Sequence, residues 1–407
     1  MNLIIADMTL QDFAGHSFEY SRCLSHAAEN RGYRCVTLAR NCVTAEVTRA
    51  IAAIPCFSNH AGPLSHLPVP VRILRRCWNQ CVHARMMLQD LKEAEPRIEL
   101  NAKSVVVAPT VYWNHIVPFA RWAEQIASKR RPRFALILHT SAYPEFTNSD
   151  HRERLYRYAF ARLERSQARQ NFHLFADTEE LVEELQSYTN MPVNWVPIPH
   201  SGGTSGINLP APLRRDVNPP IRITQLGFSN GLNKGFQHFA PLFHRLRPYF
   251  ESGQIVAELQ ASISHAGWRQ VQTALRRLRE MSSVTLHEGP LSSEDYYGLL
   301  ERAGIVVLPY STETYHSQTS GVFSEAVAHG KPVVVPRGTW MARQLKDHAA
   351  GVTFIPKDLQ SLYESVVEAI ERYRELGDLA VQRAARWRHR HSAPAYLDTI
   401  FQAIGVR

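Results

Sequence analysis

No run of about 18 apolar residues occurs in the sequence, so no segment has the length and composition of a membrane-spanning helix. Nor is there a basic stretch ahead of the first apolar run. Met1-Asn2-Leu3-Ile4-Ile5-Ala6 meets Asp7 at once, which reads as a first strand and not as an export signal. No CxxC pair is present, and the six cysteines, at 23, 35, 42, 56, 77 and 81, all fall in the first 81 residues. Cys77 and Cys81 share a helix face near His83, but that spacing matches no zinc-ligand pattern. Buried, reduced thiols in a cytoplasmic protein are therefore expected, and no metal site. The dinucleotide fingerprint GxGxxG is missing, as is the phosphate loop GxxxxGK followed by Ser or Thr, which counts against a Rossmann oxidoreductase and a P-loop enzyme.

Of the 407 residues, 44% are hydrophobic and 20% charged, a globular balance that excludes extended disorder. That length exceeds one ordinary core and fits two domains of roughly 150–200 residues. The net charge of +9 suits anionic partners, whether nucleic acid, nucleotide diphosphates or an acidic membrane surface, without choosing among them.

Short apolar runs recur with helix-like stretches between them. Leu3–Asp7, Cys35–Arg40, Ser104–Pro109, Arg133–His139, His173–Thr178 and Val193–Pro199 form a first set. Ile221–Phe228, Ile255–Ser262, Val284–Gly289, Ile305–Tyr310, Pro332–Pro336 and Gly351–Pro356 form a second. Runs such as Ser-Val-Val-Val-Ala-Pro are near-continuous, as strands covered on both faces of a parallel sheet are. With helical patterns such as Phe18–Asn30, Arg152–Gln170 and Leu359–Leu376 between them, they predict two Rossmann-like, doubly wound parallel-sheet α/β domains. His200–Pro220, dense in Gly, Pro and Ser, marks the break: a first domain over 1–200, a linker over 201–220 and a second domain over 221–387. Two such domains expect their ligands at the carboxyl ends of the strands, in a shared cleft.

Chemistry concentrates in the second half. In Ser317-Gln-Thr-Ser-Gly-Val-Phe-Ser-Glu-Ala-Val-Ala-His-Gly330, a polar loop ends in Thr319-Ser320-Gly321, good N-cap chemistry, and Gly330 closes the helix that follows. Free N–H groups at such a helix start attract anions, and Gly321 lets a diphosphate approach the backbone. Glu325, one turn in, is placed to accept two ribose hydroxyls; plain capping with a surface Glu is the competing account. In Gln225-Leu-Gly-Phe-Ser-Asn-Gly-Leu-Asn-Lys-Gly235, Gly227 closes a strand and Lys234 is a mobile point charge for phosphate oxygens, or else a solvated loop lysine.

Together these stretches, with Val284–Gly289, Asp295–Ala303 and Val306–Tyr310, resemble the donor domain of GT-B glycosyltransferases, the glycogen-synthase-like group (family four), over roughly residues 221–356. The resemblance implies a metal-independent enzyme that moves a sugar from a nucleotide-diphosphate sugar to a glycan, lipid-linked or other acceptor. It needs no cofactor beyond that substrate. Lys234 would contact the donor diphosphate with Gly227 in its loop, Thr319, Ser320 and Gly321 the phosphates or sugar, and Glu325 the ribose. Two positions depart from the family. Ser317 stands where an acid usually precedes Glu325 by eight residues, and Phe228 where an Arg often follows the loop glycine.

The first half is less diagnostic. Asp12-Phe-Ala-Gly-His-Ser-Phe-Glu-Tyr20 is similar to the family's glycine loop on the acceptor side, so Gly15 and His16 are acceptor-side candidates, against a turn glycine and a helix-start histidine. His139, ending a predicted strand, matches a family histidine near the reacting carbon, and a structural histidine equally well. Glu145 and Asp177 are the other groups placed for general-base work. The terminal stretch Arg386–Phe401 looks like the family's helix pair that crosses back onto the first domain, with 388–407 packing there and Trp387, Tyr396 and Phe401 as anchors. Its basic run, Arg-Trp-Arg-His-Arg-His, is too short and motif-free to imply nucleic acid. Val71–Lys92 reads as an amphipathic helix whose basic edge, Arg72, Arg75, Arg76 and Arg85, suits either solvent or peripheral contact with the inner face of an anionic membrane. A sugar-nucleotide epimerase, or a transferase-like binding protein without turnover, are the alternatives on the same fold.

Overall fold

The computed structural model describes residues 1–13, 16–58, 69–141, 149–199, 220–227, 231–261, 269–289 and 291–406; the side chains at 16, 69–81 and 149–151 are not described. The chain divides into two compact units, Met1–Pro199 with Ala393–Arg407, and His200–Ser392.

The first unit runs β1 (Asn2–Ala6), α1 (His16–Glu29), β2 (Arg34–Arg40), α2 (Ala45–Ala50), β3 (Ala53–Phe57), α3 (Val69–Ala94), β4 (Val105–Val111), α4 (Trp113–Gln125), β5 (Arg133–Leu138), α5 (Ser149–Glu164), β6 (Phe172–Ala176), α6 (Glu179–Gln186) and β7 (Val193–Trp195). Its seven strands lie in the order β3-β2-β1-β4-β5-β6-β7 and pair in parallel throughout. Successive side chains alternate faces, and both faces are covered. Leu3 and Ile5 join the core that holds Tyr20, Leu24, Val105 and Val107, whereas Ile4 and Ala6 join the one that holds Trp122, Phe134 and Phe160. The hydrophobic pattern does not signal β3. Its sequence, Ala-Ile-Pro-Cys-Phe, carries Pro55, which a strand tolerates at the edge of a sheet, where β3 lies.

The second unit runs β8 (Ile221–Gln225), α7 (Phe239–Arg245), α8 (Arg247–Glu251), β9 (Ile255–Ala261), α9 (Arg269–Arg279), β10 (Val284–Glu288), α10 (Ser293–Arg302), β11 (Ile305–Val307), α11 (Thr312–Tyr315), α12 (Gly321–Ala328), β12 (Val333–Pro336), α13 (Trp340–Gln344), β13 (Gly351–Phe354), α14 (Leu359–Glu371) and α15 (Tyr373–Arg390). Its six strands, ordered β10-β9-β8-β11-β12-β13, also pair in parallel. In each sheet the strand order reverses once, beside β1 and β4 in the first and β8 and β11 in the second. Doubly wound sheets leave a crevice there, outside the carboxyl ends of the strands.

A final helix, α16 (Ala393–Ile404), belongs to the first unit, where Tyr396, Leu397, Ile400 and Phe401 join the core around Leu3 and Ile5. The expected terminal pair is corrected in one respect: Trp387 does not anchor the first unit. It is buried in the second, edge-on to Phe323 at 5.9 Å and tilted against Trp340 at 6.2 Å, because α15 ends at Arg390 and only the residues after Ser392 return. No helix among the described residues is long and apolar enough to cross a membrane.

Candidate functional site

In the second unit the crevice at the order reversal is bounded by the exits of β8 and β11 and the start of α12. Gly227, just beyond β8, has φ 88°, and a Cβ there would lie 2.6 Å from Val322 Cγ2 and 3.4 Å from Lys234 Nζ. Only glycine allows that approach. The Gly227 N–H donates to Gln260 Oε1 at 2.8 Å, and Gln260 Nε2 donates to the Gly289 carbonyl at 3.4 Å, so one carboxamide ties together the ends of β8, β9 and β10.

Lys234 ends a short 3-10 segment that is docked onto the exit of β11. Ser311 N donates to the Asn233 carbonyl at 2.8 Å, and Gly235, with φ 67°, sits so close that a Cβ would fall 1.9 Å from the Pro309 carbonyl oxygen. The Lys234 ammonium lies over the Tyr310 ring, 5.6 Å from its centroid, and has no hydrogen-bond or ion-pair partner among the described residues. Burial pushes its pKa down to about 8, with Glu325 acting in the opposite direction. A desolvated cation without a counter-ion is an arrangement that an incoming anion completes.

At the start of α12, Ser320 is the N-cap, its hydroxyl accepting from Phe323 N at 3.2 Å. Thr319 and Gly321 flank it, and the unsatisfied N–H groups of this turn leave the positive end of the helix dipole at the crevice. Glu325 is 3% exposed and accepts a hydrogen bond from the Tyr296 hydroxyl. Burial and the facing carboxylate push the Tyr296 pKa well above its ordinary value, so the phenol stays a donor. Ser317 is buried, and Phe228 lies outside the described residues. Gly227, Lys234, Ser320 and Glu325 thus come to one crevice. Tyr296, Tyr310 and Gln260 join them without having stood out in the sequence; the one trace is two tyrosines just after the capped start Ser292-x-x-Asp295.

In the first unit, His139 follows β5 and Asp177 follows β6. His139 Nδ1 lies 2.8 Å from Asp177 Oδ2, and Nε2 lies 2.5 Å from the Pro109 carbonyl oxygen beside the exit of β4. Both neighbours are acceptors, so both contacts are hydrogen bonds only when the ring carries two protons. Burial works against that charge, but Asp177, the Pro109 carbonyl and the more distant Asp7 outweigh it and raise the His139 pKa. Asp7, beyond β1, is itself buried, accepting from Thr9 N, Thr9 Oγ1 and Ser21 Oγ at 2.7–3.0 Å. Glu145 and Gly15 lie outside the described residues; His16 begins α1, but its side chain is not described.

Residues 224–372 match the family described as "Glycosyl transferases group 1", a stretch that holds every group named above in the crevice of the second unit. Among solved structures, the chain resembles HepE of Anabaena in complex with UDP and glucose, at 14% identity and a TM-score of 0.66, covering 100% of this chain and 99% of that one. Sucrose-phosphate synthase from Thermosynechococcus elongatus is similar at 13% identity and TM-score 0.69, covering 99% and 98%. An α,α-trehalose-phosphate synthase (UDP-forming) from Burkholderia xenovorans, in complex with glucose-6-phosphate, is similar at 12% and 0.67, covering 100% of both chains. The chain has the GT-B fold and carries a group 1 glycosyltransferase domain. No curated protein matches the sequence. Within the second unit, the group 1 domain begins inside β8 and ends just past α14, so the Gly227–Gly235 loop and α12 are both part of it.

Proposed function

We propose that this glycosyltransferase takes a sugar from a uridine-diphosphate sugar and passes it to a hydroxyl of a saccharide acceptor. In that reaction the bond between the anomeric carbon and the diphosphate oxygen breaks, the diphosphate leaves with the electron pair, and the acceptor oxygen bonds to carbon while its proton passes to the departing diphosphate and on to solvent. The single observation that carries this is Lys234, half-buried and without an ion pair among the described residues, beside the Gly227 turn and the start of α12. A cation and a helix N-terminus preset around the leaving group stabilise the charge that develops on it. These two features take the part a divalent metal plays elsewhere, so transfer is proposed to need none. Thr319 and Gly321 would complete the phosphate contacts, and Glu325 would take the ribose hydroxyls. The choice of uridine is supported by HepE, whose complexes contain UDP. On the other side of the reaction, His139 and Asp177 act as a pair, with the imidazolium near the reacting sugar.

A thermal-shift screen of nucleoside diphosphates and their sugars is the direct test, since it needs no knowledge of the acceptor. UDP and UDP-sugars should raise the midpoint in the presence of chelator as well as without it. No response to any nucleotide sugar, or one that appears only with added Mn²⁺ or Mg²⁺, would overturn the proposal or its metal-free part.

A further inference from the structure

The first unit contains a second polar site, separate from His139 and Asp177. A cavity of about 210 Å³ opens at the carboxyl ends of β1, β2 and β3, lined by Thr9, Gln11, Arg40, Phe57, His83 and Asp90 among others. Its size suits one small ring or head group and not an extended chain.

The cavity's two opposite charges are not equivalent. Asp90, on α3, is already engaged: it accepts from Ser58 N at 2.9 Å and from Ser58 Oγ at 3.0 Å. Arg40 has no carboxylate partner among the described residues and spends one N–H on Gln11 Oε1, at 2.5 Å, out of five in the guanidinium. Its aim is built into the backbone. The pairing of β2 with β3 shifts register between Ala39 and Arg40, so that Arg40 stands opposite Phe57. Such bulges re-aim a side chain and gather beside active sites. The Arg40 N–H is further pinned to the Leu10 carbonyl at 3.0 Å, and Thr44 N to the Gln11 carbonyl at 2.8 Å, which fixes the loop carrying Thr9 and Gln11 against the strand end. Among the described residues this leaves one guanidinium edge without a hydrogen-bond partner, with hydroxyl, amide and imidazole groups around it and an apolar wall from Phe57 and Met87.

We infer that this cavity is an acceptor subsite for a hydroxylated ring bearing one anionic group, a carboxylate or a phosphate. Arg40 takes the anion in the forked geometry that suits both, and the neutral polar groups take hydroxyls. The inference rests on the proposed transfer from a sugar nucleotide, since it assigns the other substrate.

Calorimetry on the full chain, with and without saturating UDP, tests it with glucose 6-phosphate, glucuronate, glucose and inorganic phosphate. At least one anionic sugar should bind about tenfold or more tightly than glucose, and Arg40→Gln should abolish the difference. Which of the two binds tells phosphate from carboxylate. UDP affinity should be the same in Arg40→Gln as in the wild type, which shows that the variant is folded. Equal affinity for glucose, a preference that survives Arg40→Gln, or no binding of either anionic sugar would overturn the subsite. Inorganic phosphate binding as well as glucose 6-phosphate would overturn the recognition of a sugar ring. Failure of the wild type to bind UDP speaks against the transferase proposal and leaves the Arg40 comparison readable without nucleotide.

Discussion

Lys234 is a half-buried cation with no ion pair among the described residues, and its charge should control donor affinity. Lys234→Ala is expected to weaken UDP binding by roughly 1.5–3 kcal/mol, the scale of a charge-assisted hydrogen bond. Because burial lowers its pKa to about 8, the ammonium is lost as pH rises through that value. Wild-type UDP affinity should therefore fall across that window while Lys234→Ala stays flat, and calorimetry that finds both flat would remove Lys234 from the site. Glu325→Gln should weaken UDP more than its 2′,3′-dideoxy analogue; an equal loss for both would end the ribose assignment. For His139 the sign runs the other way. Its folded pKa is raised, so the stabilisation it gains from Asp177 is whole below the free imidazole's pKa of about 6.5 and fades as pH rises through the folded value. Urea unfolding of the first unit should lose midpoint over that rise, and Asp177→Asn should flatten the trend. A wild type as pH-independent as the variant would show that the pair carries no charge.

Among the elements, the loop that ends in Gly235 is docked most tightly onto the crevice of the second unit, through the Pro309 carbonyl. Gly235→Ala meets both a left-handed φ and the Pro309 carbonyl, so it should destabilise the unit by well over about 1 kcal/mol and weaken UDP as Lys234 is displaced. Gly253 supplies the control: its φ is 71° with nothing within 4 Å of a Cβ, so Gly253→Ala should carry the backbone strain alone and leave UDP affinity intact. Equal effects on UDP from the two variants would disprove the docking role. Elements of this kind are readable in advance where one interaction dominates. The largely apolar β4 and the all-apolar β12 announce themselves, as does the Ser320 cap of α12. The edge strand β3 does not, because its propensity is poor and its pairing with β2 supplies what the residues lack. Nor does the break between α14 and α15 at Arg372, in a stretch that reads as one helix over 359–376.

At the scale of the whole molecule, the last residues finish the first unit. Tyr396, Leu397, Ile400, Phe401 and Ile404 are buried there, and Arg31 pairs with Asp398 at 2.8 Å. At about 1.5–3 kcal/mol for each large apolar side chain, the helix rivals a domain's entire stability of about 5–15 kcal/mol. Ending the chain after Ser392 should therefore leave residues 1–199 open to proteolysis while 220–392 stays protected. Cleavage patterns identical to the full chain would contradict this.

The sequence by itself determined the two parallel sheets, and it singled out Gly227, Lys234, Ser320 and Glu325, which the structure brings to one crevice. Strand hydrophobicity, helix caps and obligatory glycines are local in the chain and leave local marks. Only the tertiary structure decided what those residues face. It turned Tyr296 toward Glu325 and Tyr310 beneath Lys234, gave His139 two acceptors at once, and set Ser58 on Asp90 and Gln11 on Arg40. Each of these pairings joins residues from different strands or helices. Whether a charge is spent or available depends on that meeting, which no spacing along the chain encodes.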